Sequence, residues 1–229
     1  MTDYIQPFSD VVTAVELLNE PMGPKLDMNQ VKQFYQDGYW KVRPSNSETV
    51  VVIHDAFQDL NYWSGFLNEA MHASSVMLDT HLYQVFSPGE NAMTPSDHIA
   101  KACTFKNKLK STDKWTIVGE WSGAQTDCAK WLNGLGTGAR YDGTFALNGG
   151  SYYIGNCDKK YTGTVDGMLA DDKKNLQAYV AAQLDAYESH SGWIFWCWKT
   201  ESAPEWNFRD LFKAGLIPNP LSSRTTGIC

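Results

Sequence analysis

Two glutamates end apolar runs of the chain at positions where strand-like segments stop. Glu20 follows V-E-L-L-N at residues 15–19, and Glu120 closes W-T-I-V-G-E at residues 115–120. In parallel α/β barrels the active site lies at the carboxyl ends of the strands, so polar residues at such positions are candidates for chemistry. Two carboxyl groups can break a glycosidic bond, because one protonates the leaving oxygen while the other attacks the sugar or activates water.

Other polar and aromatic residues end the same kind of run, and together with the glutamates they form a glycosidase-like set. They are Asn19, His54, Asp55, His81, Tyr83, Trp196, Trp198 and Lys199. The hypothesis depends on this combination, because each residue alone has a structural interpretation.

A strand-end glutamate is more often a solvated residue or an ion-pair partner than a catalyst. Glu16 shares strand parity with Glu20 and could be an inward-facing structural acid. His54 and His81 could be satisfied core histidines, and Phe57 and Phe86 could be ordinary packing residues.

The elements that must position these residues alternate between strand-like and helix-like segments. Continuous apolar runs, typical of strands buried on both faces, occupy residues 11–18, 49–55, 75–81, 115–121 and 192–198. Helix-like segments lie between them at residues 26–39, 61–67, 96–109 and 171–188, and residues 121–170 form a Gly- and Tyr-rich loop region. This order predicts an α/β fold of the (β/α)₈ TIM-barrel family.

The number of strands predicts a partial barrel. A complete barrel has eight strands in about 250 residues, whereas this chain offers about five parallel strands and their helices. Since no linker or repeat divides the sequence, residues 1–229 are expected to form a single catalytic domain that is N-terminally truncated.

The charge of the chain argues against two classes of partner. The 229 residues include 26 acidic and 19 basic side chains, giving a net charge of −7. Nucleic acids and anionic membranes require a basic surface, so neither is expected as a partner. Aromatic residues make up 13% of the chain and suit the flat faces of sugar rings, although a large aromatic core explains them equally well.

The cysteines predict no metal site, because they show neither C-x-x-C spacing nor interspersed histidines. No cofactor is expected either, since the chain has no Gly-rich phosphate loop. Five cysteines leave at least one thiol free if the others are bridged, and Cys197 in W-I-F-W-C-W is the natural candidate. The N-terminus lacks the pattern of a signal peptide.

The motifs of the chain resemble those of a known family. They are E-L-L-N-E-P (16–21), V-I-H-D-A-F (52–57), D-T-H-L-Y-Q-V-F (79–86), V-G-E-W-S (118–122), D-C-A-K-W-L-N-G (127–134), G-A-R-Y-D-G (138–143) and W-I-F-W-C-W-K-T-E-S-A-P-E-W (193–206). In this order they resemble the C-terminal part of fungal exo-1,3-β-glucanases, in glycoside hydrolase family 5, from the fourth barrel strand onward. The resemblance covers essentially the whole chain.

The resemblance implies a retaining enzyme with Glu20 as general acid/base and Glu120 as nucleophile. It further implies Asn19 on the sugar 2-hydroxyl, His81 and Tyr83 as positioning groups, and Trp196 as the floor of the sugar pocket. Phe86, with Phe57 near it, resembles the aromatic entrance that grips the next glucose. For Glu20 to donate a proton, we expect its pKa to lie above the ordinary value, raised by an ionised Glu120 close by.

The implied substrate is β-1,3-glucan or laminari-oligosaccharides, with glucose released from non-reducing ends. The family is secreted, which implies a secreted or cell-wall location and disulfides joining Cys103 to Cys229 and Cys128 to Cys157. Relatives carry three further βα units before N-E-P. The chain is therefore expected to be N-terminally truncated, and the truncation could impair its activity. Two alternatives remain open, a β-glucan transglucosylase and a non-catalytic or vestigial glucan-binding protein, and no oligomeric state is predicted.

Overall fold

The computed structural model describes residues 2–46, 48–147, 150–158, 160 and 163–229. The chain divides into two compact units. The first unit comprises Met1–His81, Asn107–Gly119 and His190–Gly192, and the second unit comprises Leu82–Lys106, Glu120–Ser189 and Trp193–Cys229. The single catalytic domain expected from the sequence stays a prediction.

Four strands form one sheet in the described part of the chain: β1 (Ala14–Glu16), β2 (Val50–His54), β3 (Val76–His81) and β4 (Trp115–Glu120). They follow one another in the order β1-β2-β3-β4, with β1 parallel to β2 and β2 parallel to β3. Val51 and Ile53 are completely buried, as expected for a parallel strand covered on both faces. The protein is therefore an α/β protein with a parallel sheet.

The helices of the described residues are α1 (Thr2–Ile5), α2 (Met28–Val42), α3 (Pro88–Asn91), α4 (Pro95–Lys110), α5 (Ala170–Tyr187) and α6 (Phe208–Lys213). Short 3₁₀ helices occupy Gln6–Phe8, Gly23–Lys25, Leu60–Trp63, Glu69–Met71, Pro204–Trp206 and Leu221–Ser223.

Helix α2 shows how sequence and packing cooperate in the first unit. Asp27 caps its N-terminus by accepting a hydrogen bond from the backbone of Asn29 at 2.9 Å. Its buried residues recur at helical spacing and include Tyr35 and Tyr39. The Tyr35 hydroxyl donates to the carbonyl of His54 at 3.0 Å, so the helix is fastened to the carboxyl end of β2.

The second unit contains the long loop predicted from its Gly and Tyr content. The described residues between 121 and 169 form no helix or strand, apart from an isolated bridge between Asp142 and Tyr153. A disulfide from Cys128 to Cys157 closes the loop, and another joins Cys103 to Cys229. Both pairs match those that the resemblance implies, and Cys197 is a free thiol.

The fifth predicted strand, at residues 192–198, is absent, so the sheet has four strands among the described residues instead of about five. The start of this segment meets β4, since the carbonyl of Gly192 accepts a hydrogen bond from Val118 N–H. Further on its backbone bonds loop residues: Trp196 N–H donates to the carbonyl of Trp121, and Cys197 N–H donates to the carbonyl of Trp206. Its apolar character is explained by aromatic packing, since Phe195 lies edge-on against Trp121 with ring centroids 4.9 Å apart.

Candidate active site

Glu20 and His81 form a close pair within the first unit. Glu20 lies shortly after β1 in a left-handed backbone conformation, with φ of 47°, which is uncommon for a residue with a side chain and often marks functional sites. His81 is the last residue of β3, and its Nδ1 lies 2.6 Å from Glu20 Oε1. The side chain of Glu20 is 37% exposed while that of His81 is 2% exposed, so the pair spans the surface and the core.

The hydrogen bond from His81 lowers the pKa of Glu20, outweighing the opposing effect of burial, and positive charge on His81 and His54 lowers it further. This is opposite to the raised pKa that we expected from a neighbouring carboxylate. The physical reason is that the first neighbour of Glu20 is a proton donor, and a donor stabilises the ionised form.

A second carboxylate contacts the far side of the His81 ring. Asp79 Oδ2 lies 3.4 Å from His81 Nε2, and Asp79 Oδ1 accepts a hydrogen bond from the backbone of Gly119 at 2.7 Å. Asp79 is buried. The imidazole of His81 therefore lies between two carboxyl groups, one on each nitrogen.

His54 is completely buried beside this pair, with its ring edge-on to that of His81 and the ring centroids 4.4 Å apart. Its Nδ1 accepts a hydrogen bond from the backbone of Ala56 at 3.0 Å. Burial lowers the pKa of His54 to about 4, and the charge of His81 acts in the same direction. His54 is therefore neutral at neutral pH.

The residues after His54 place another acid and an aromatic ring nearby. Asp55 accepts hydrogen bonds from the Thr80 hydroxyl at 2.6 Å and from the backbone of Phe57 at 2.8 Å, and burial raises its pKa to about 6. Phe57 is partly exposed and packs edge-on against His54.

Glu20, His54 and His81 have potential ligand atoms within 4.8 Å of one another, the one such group among the residues that the structure describes. His81 Nδ1 bonds Glu20 and His54 Nδ1 accepts from Ala56, whereas the buried His54 Nε2 has no hydrogen-bond partner among the described residues. This donor set is better explained as a hydrogen-bond network than as a metal centre.

Glu120 belongs to the second unit, where it is the last residue of β4. The Tyr83 hydroxyl donates a hydrogen bond to Glu120 Oε2 at 2.7 Å. The Tyr83 ring packs against Trp206 and lies edge-on to Phe86, with centroid distances of 5.3 Å and 5.6 Å. Trp206 is buried and Phe86 is exposed, so Tyr83 connects the core to the surface beside Glu120.

The predicted site residues thus fall into two groups, each inside one unit. The first unit holds Glu20, His81 and Phe57, with Asn19 exposed next to Glu20 in the chain. The second unit holds Glu120, Tyr83, Phe86 and Trp196. The side chain of Trp196 is 51% exposed. The catalytic and sugar-binding roles of these residues stay predictions.

Asp79 was missed as a candidate in the sequence. It lies two residues before His81 in β3, and residues at i and i+2 of a strand point to the same face. The position of Asp79 on the same strand face as His81 could have identified it from the sequence.

Most of this chain is similar in sequence to curated fungal proteins. No protein-family model matches it. The chain is 62% identical over 218 residues to "Glucan 1,3-beta-glucosidase" of Blumeria graminis, covering 95% of this chain and 51% of that protein. It is 48% identical over 221 residues to "Glucan 1,3-beta-glucosidase" of Candida oleophila, with 95% and 51% covered.

Two solved structures share the fold. The crystal structure of AoRut aligns with a TM-score of 0.58 at 17% identity, covering 94% of this chain and 54% of that one. Endo-glycoceramidase II from Rhodococcus sp. aligns with a TM-score of 0.51 at 14% identity, with 94% and 43% covered. In the described residues, no helix is both long and apolar enough to cross a membrane.

The chain spans about half the length of the curated relatives that it matches. Over that half the identity is far too high to be accidental. The chain is therefore a homologue of the fungal glucan 1,3-β-glucosidases.

Proposed function

We propose that the protein is a retaining glycoside hydrolase that releases glucose from the non-reducing ends of β-1,3-glucan by double displacement. The observation that carries the proposal is that each candidate glutamate is bonded to a candidate positioning group. Glu20 lies 2.6 Å from His81, and Glu120 lies 2.7 Å from Tyr83. The names of the relatives supply the substrate, β-1,3-glucan.

In the first step Glu120 attacks the anomeric carbon while Glu20 protonates the leaving oxygen, giving a glycosyl-enzyme. In the second step Glu20 removes a proton from water, which displaces the sugar from Glu120. Tyr83 holds Glu120 for attack through its hydroxyl. Asn19 binds the sugar 2-hydroxyl, Trp196 supports the sugar, and Phe57 and Phe86 contact the next glucose.

We propose that the chain forms part of a (β/α)₈ barrel and that this part belongs to one catalytic domain. The support for this fold is the sheet order β1-β2-β3-β4, in which β1, β2 and β3 are parallel, and the fold similarity to AoRut. We propose a secreted or cell-wall location, supported by the two disulfides, which persist in oxidising compartments.

The test is glucose release from laminaritriose by the wild type and by three variants. We expect Glu120→Gln to abolish release and Glu20→Gln to reduce it by about 10²–10⁴-fold, the usual contribution of general acid/base catalysis. Glu69→Gln is the control, because Glu69 is an exposed glutamate of the first unit that is not part of the Glu20–His81 pair. Full activity of Glu120→Gln would contradict the proposal.

The same assay separates the alternatives. Longer oligosaccharides formed at high laminaritriose concentration indicate a transglucosylase, since sugar then replaces water as acceptor. Exposed tryptophans favour a second candidate, non-catalytic glucan binding: Trp196 and Trp198 are 51% and 65% exposed. Laminarin binding without glucose release, unchanged in Glu120→Gln, would support that function.

A further inference from the structure

We propose that Asp79 is a positioning residue that acts on Glu20 through His81. It holds the His81 ring so that Nε2 carries a hydrogen and Nδ1 is left to share a proton with Glu20. This inference rests on the proposed role of Glu20 as general acid/base.

Asp79 is held by both neighbouring strands, through its carboxylate by β4 and through its backbone by β2. Gly119 of β4 donates its backbone N–H to Asp79 Oδ1 at 2.7 Å, and Asp79 pairs with His54 in the register of β2 and β3. The carbonyl of Asp79 also accepts a hydrogen bond from the backbone of Asp55 at 2.8 Å. A Cβ atom on Gly119 would overlap both carboxylate oxygens of Asp79, so the glycine of V-G-E-W leaves the space that this carboxylate fills.

The position of this carboxylate selects one tautomer of His81. A carboxylate oxygen attracts a hydrogen more than a lone pair, so the 3.4 Å contact between Asp79 Oδ2 and His81 Nε2 favours the tautomer with the hydrogen on Nε2. In neutral His81 the lone pair is then on Nδ1, 2.6 Å from Glu20 Oε1. A protonated Glu20 can donate to that lone pair, whereas the other tautomer would place a hydrogen there and require an ionised Glu20.

Among the contacts described for His81, four titratable groups agree with this assignment. Glu20 and Asp79 contact its two nitrogens, and Asp55 interacts with it through charge. His54 packs against its ring and is neutral at neutral pH because burial lowers its pKa to about 4.

One catalytic cycle returns the Glu20–His81 pair to its starting protonation state. In the resting pair, His81 Nδ1 and Glu20 Oε1 share one proton, and a second hydrogen on Nε2 faces Asp79. As the glycosidic bond breaks, the Nδ1 proton passes to Glu20 Oε1 and on to the leaving oxygen, which leaves neutral His81 with its hydrogen on Nε2. When water attacks the glycosyl-enzyme, its proton returns through Glu20 to Nδ1, and the starting state is restored.

Asp79→Asn tests the assignment with almost no change in shape. The asparagine keeps an oxygen for the Gly119 N–H and turns an amide N–H toward His81 Nε2. Neutral His81 then carries its hydrogen on Nδ1 and donates it to Glu20, so Glu20 is held in the ionised form.

The first measurement is the ¹⁵N NMR spectrum of the His81 ring across a pH titration. We expect neutral His81 to carry its hydrogen on Nε2 in the wild type and on Nδ1 in Asp79→Asn. In the variant, protonated His81 should lose its second proton at a lower pH than in the wild type. The control is Asp185→Asn, because Asp185 and Asp79 have side chains that are each 6% exposed and both accept a backbone N–H. A hydrogen on Nδ1 in the neutral form of wild-type His81 would overturn the proposal without any variant.

The second measurement compares two leaving groups. Asp79→Asn should lose about 10²-fold in kcat on laminaritriose, where the leaving oxygen needs a proton. It should stay near wild type on 2,4-dinitrophenyl β-glucoside, whose leaving group departs without one. Equal losses on both substrates would overturn the proposal, since that result indicates a general structural defect.

The two measurements also separate this inference from the proposed function. If the wild type hydrolyses neither substrate and the tautomer still switches in Asp79→Asn, the proposed function fails and the placement of the His81 proton by Asp79 is supported. If the wild type is active and the tautomer does not respond, the function stands and the inference is overturned.

Discussion

His81 and Tyr83, two residues apart in the chain, each bond a different glutamate. His81 meets Glu20 at 2.6 Å within the first unit, and Tyr83 meets Glu120 at 2.7 Å within the second. The short H-x-Y motif thus supplies one side-chain contact to each carboxylate. At the scale of residues, the behaviour of Glu20 depends first on His81.

We predict that His81→Asn raises the pKa of Glu20 toward its ordinary value, because the hydrogen bond from His81 is the largest cause that lowers it. A lowered folded-state pKa contributes stability above the unfolded-state pKa, which is lost as the pH falls through the folded-state value. The variant should therefore lose less stability on acidification than the wild type.

The check is a ¹³C NMR titration of the Glu20 carboxyl group. His98→Asn is the control, since His98 is buried in the second unit and its Nδ1 bonds Gln84 at 2.9 Å. An unchanged pKa in His81→Asn would show that another group sets the charge of Glu20.

Sequence alone could identify the glutamates and their partners by residue type and motif, but it could not give the state of Glu20. That state depends on which atom lies nearest to the carboxylate, and a donor on His81 has the opposite effect to a second carboxylate. Asp79 was missed for a related reason: it contacts His81 instead of either glutamate, so no catalytic pattern includes it.

At the scale of elements, the sequence predicted strands well where burial on both faces leaves a continuous aliphatic run. The segments 49–55, 75–81 and 115–121 contain β2, β3 and β4. The segment 192–198 has a similar apolar content, yet its backbone bonds Trp121 and Trp206. Aromatic residues can be buried in a loop as well as in a strand, so hydrophobicity alone could not distinguish the two.

We predict that Glu205→Gln stabilises the protein at alkaline pH. Glu205 is buried in the 3₁₀ helix Pro204–Trp206, and burial raises its pKa to about 8 against the opposing charge of Lys160. A raised folded-state pKa gives stability that is complete below the unfolded-state value of 4.5 and is lost as the pH rises toward 8.

The variant should remove this loss, which is of the order of 2–5 kcal/mol at pH 9. Urea unfolding of both proteins from pH 5 to pH 9 measures it. Parallel pH profiles for the two proteins would mean that Glu205 does not titrate in this range.

We predict that the double variant Cys128→Ser, Cys157→Ser loses about 3–4 kcal/mol of unfolding free energy, because the disulfide closes a loop whose ends are 29 residues apart. The described residues of this loop have almost no regular secondary structure to replace that constraint. Thermal unfolding should show a lower Tm, and the single variant Cys197→Ser, which breaks no disulfide, is the control. An unchanged Tm would show that the loop is held by its other contacts.

At the scale of the whole molecule, the chain matches about half of each glucan 1,3-β-glucosidase relative while carrying both candidate glutamates. The family and the α/β class could be predicted from the sequence because the motifs occur in a fixed order along the chain, whereas the partial barrel stays a proposal. The division into two units could not, since it depends on how the folded segments pack.

The proposed mechanism requires a covalent bond between Glu120 and glucose. The most direct measurement is mass spectrometry of the protein after incubation with 2,4-dinitrophenyl 2-deoxy-2-fluoro-β-glucoside, followed by peptide mapping. We predict a single added fluoroglucosyl group on the peptide that contains Glu120, and none on Glu120→Gln. A label on another residue, or no label while glucose is still released from laminaritriose, would contradict the account.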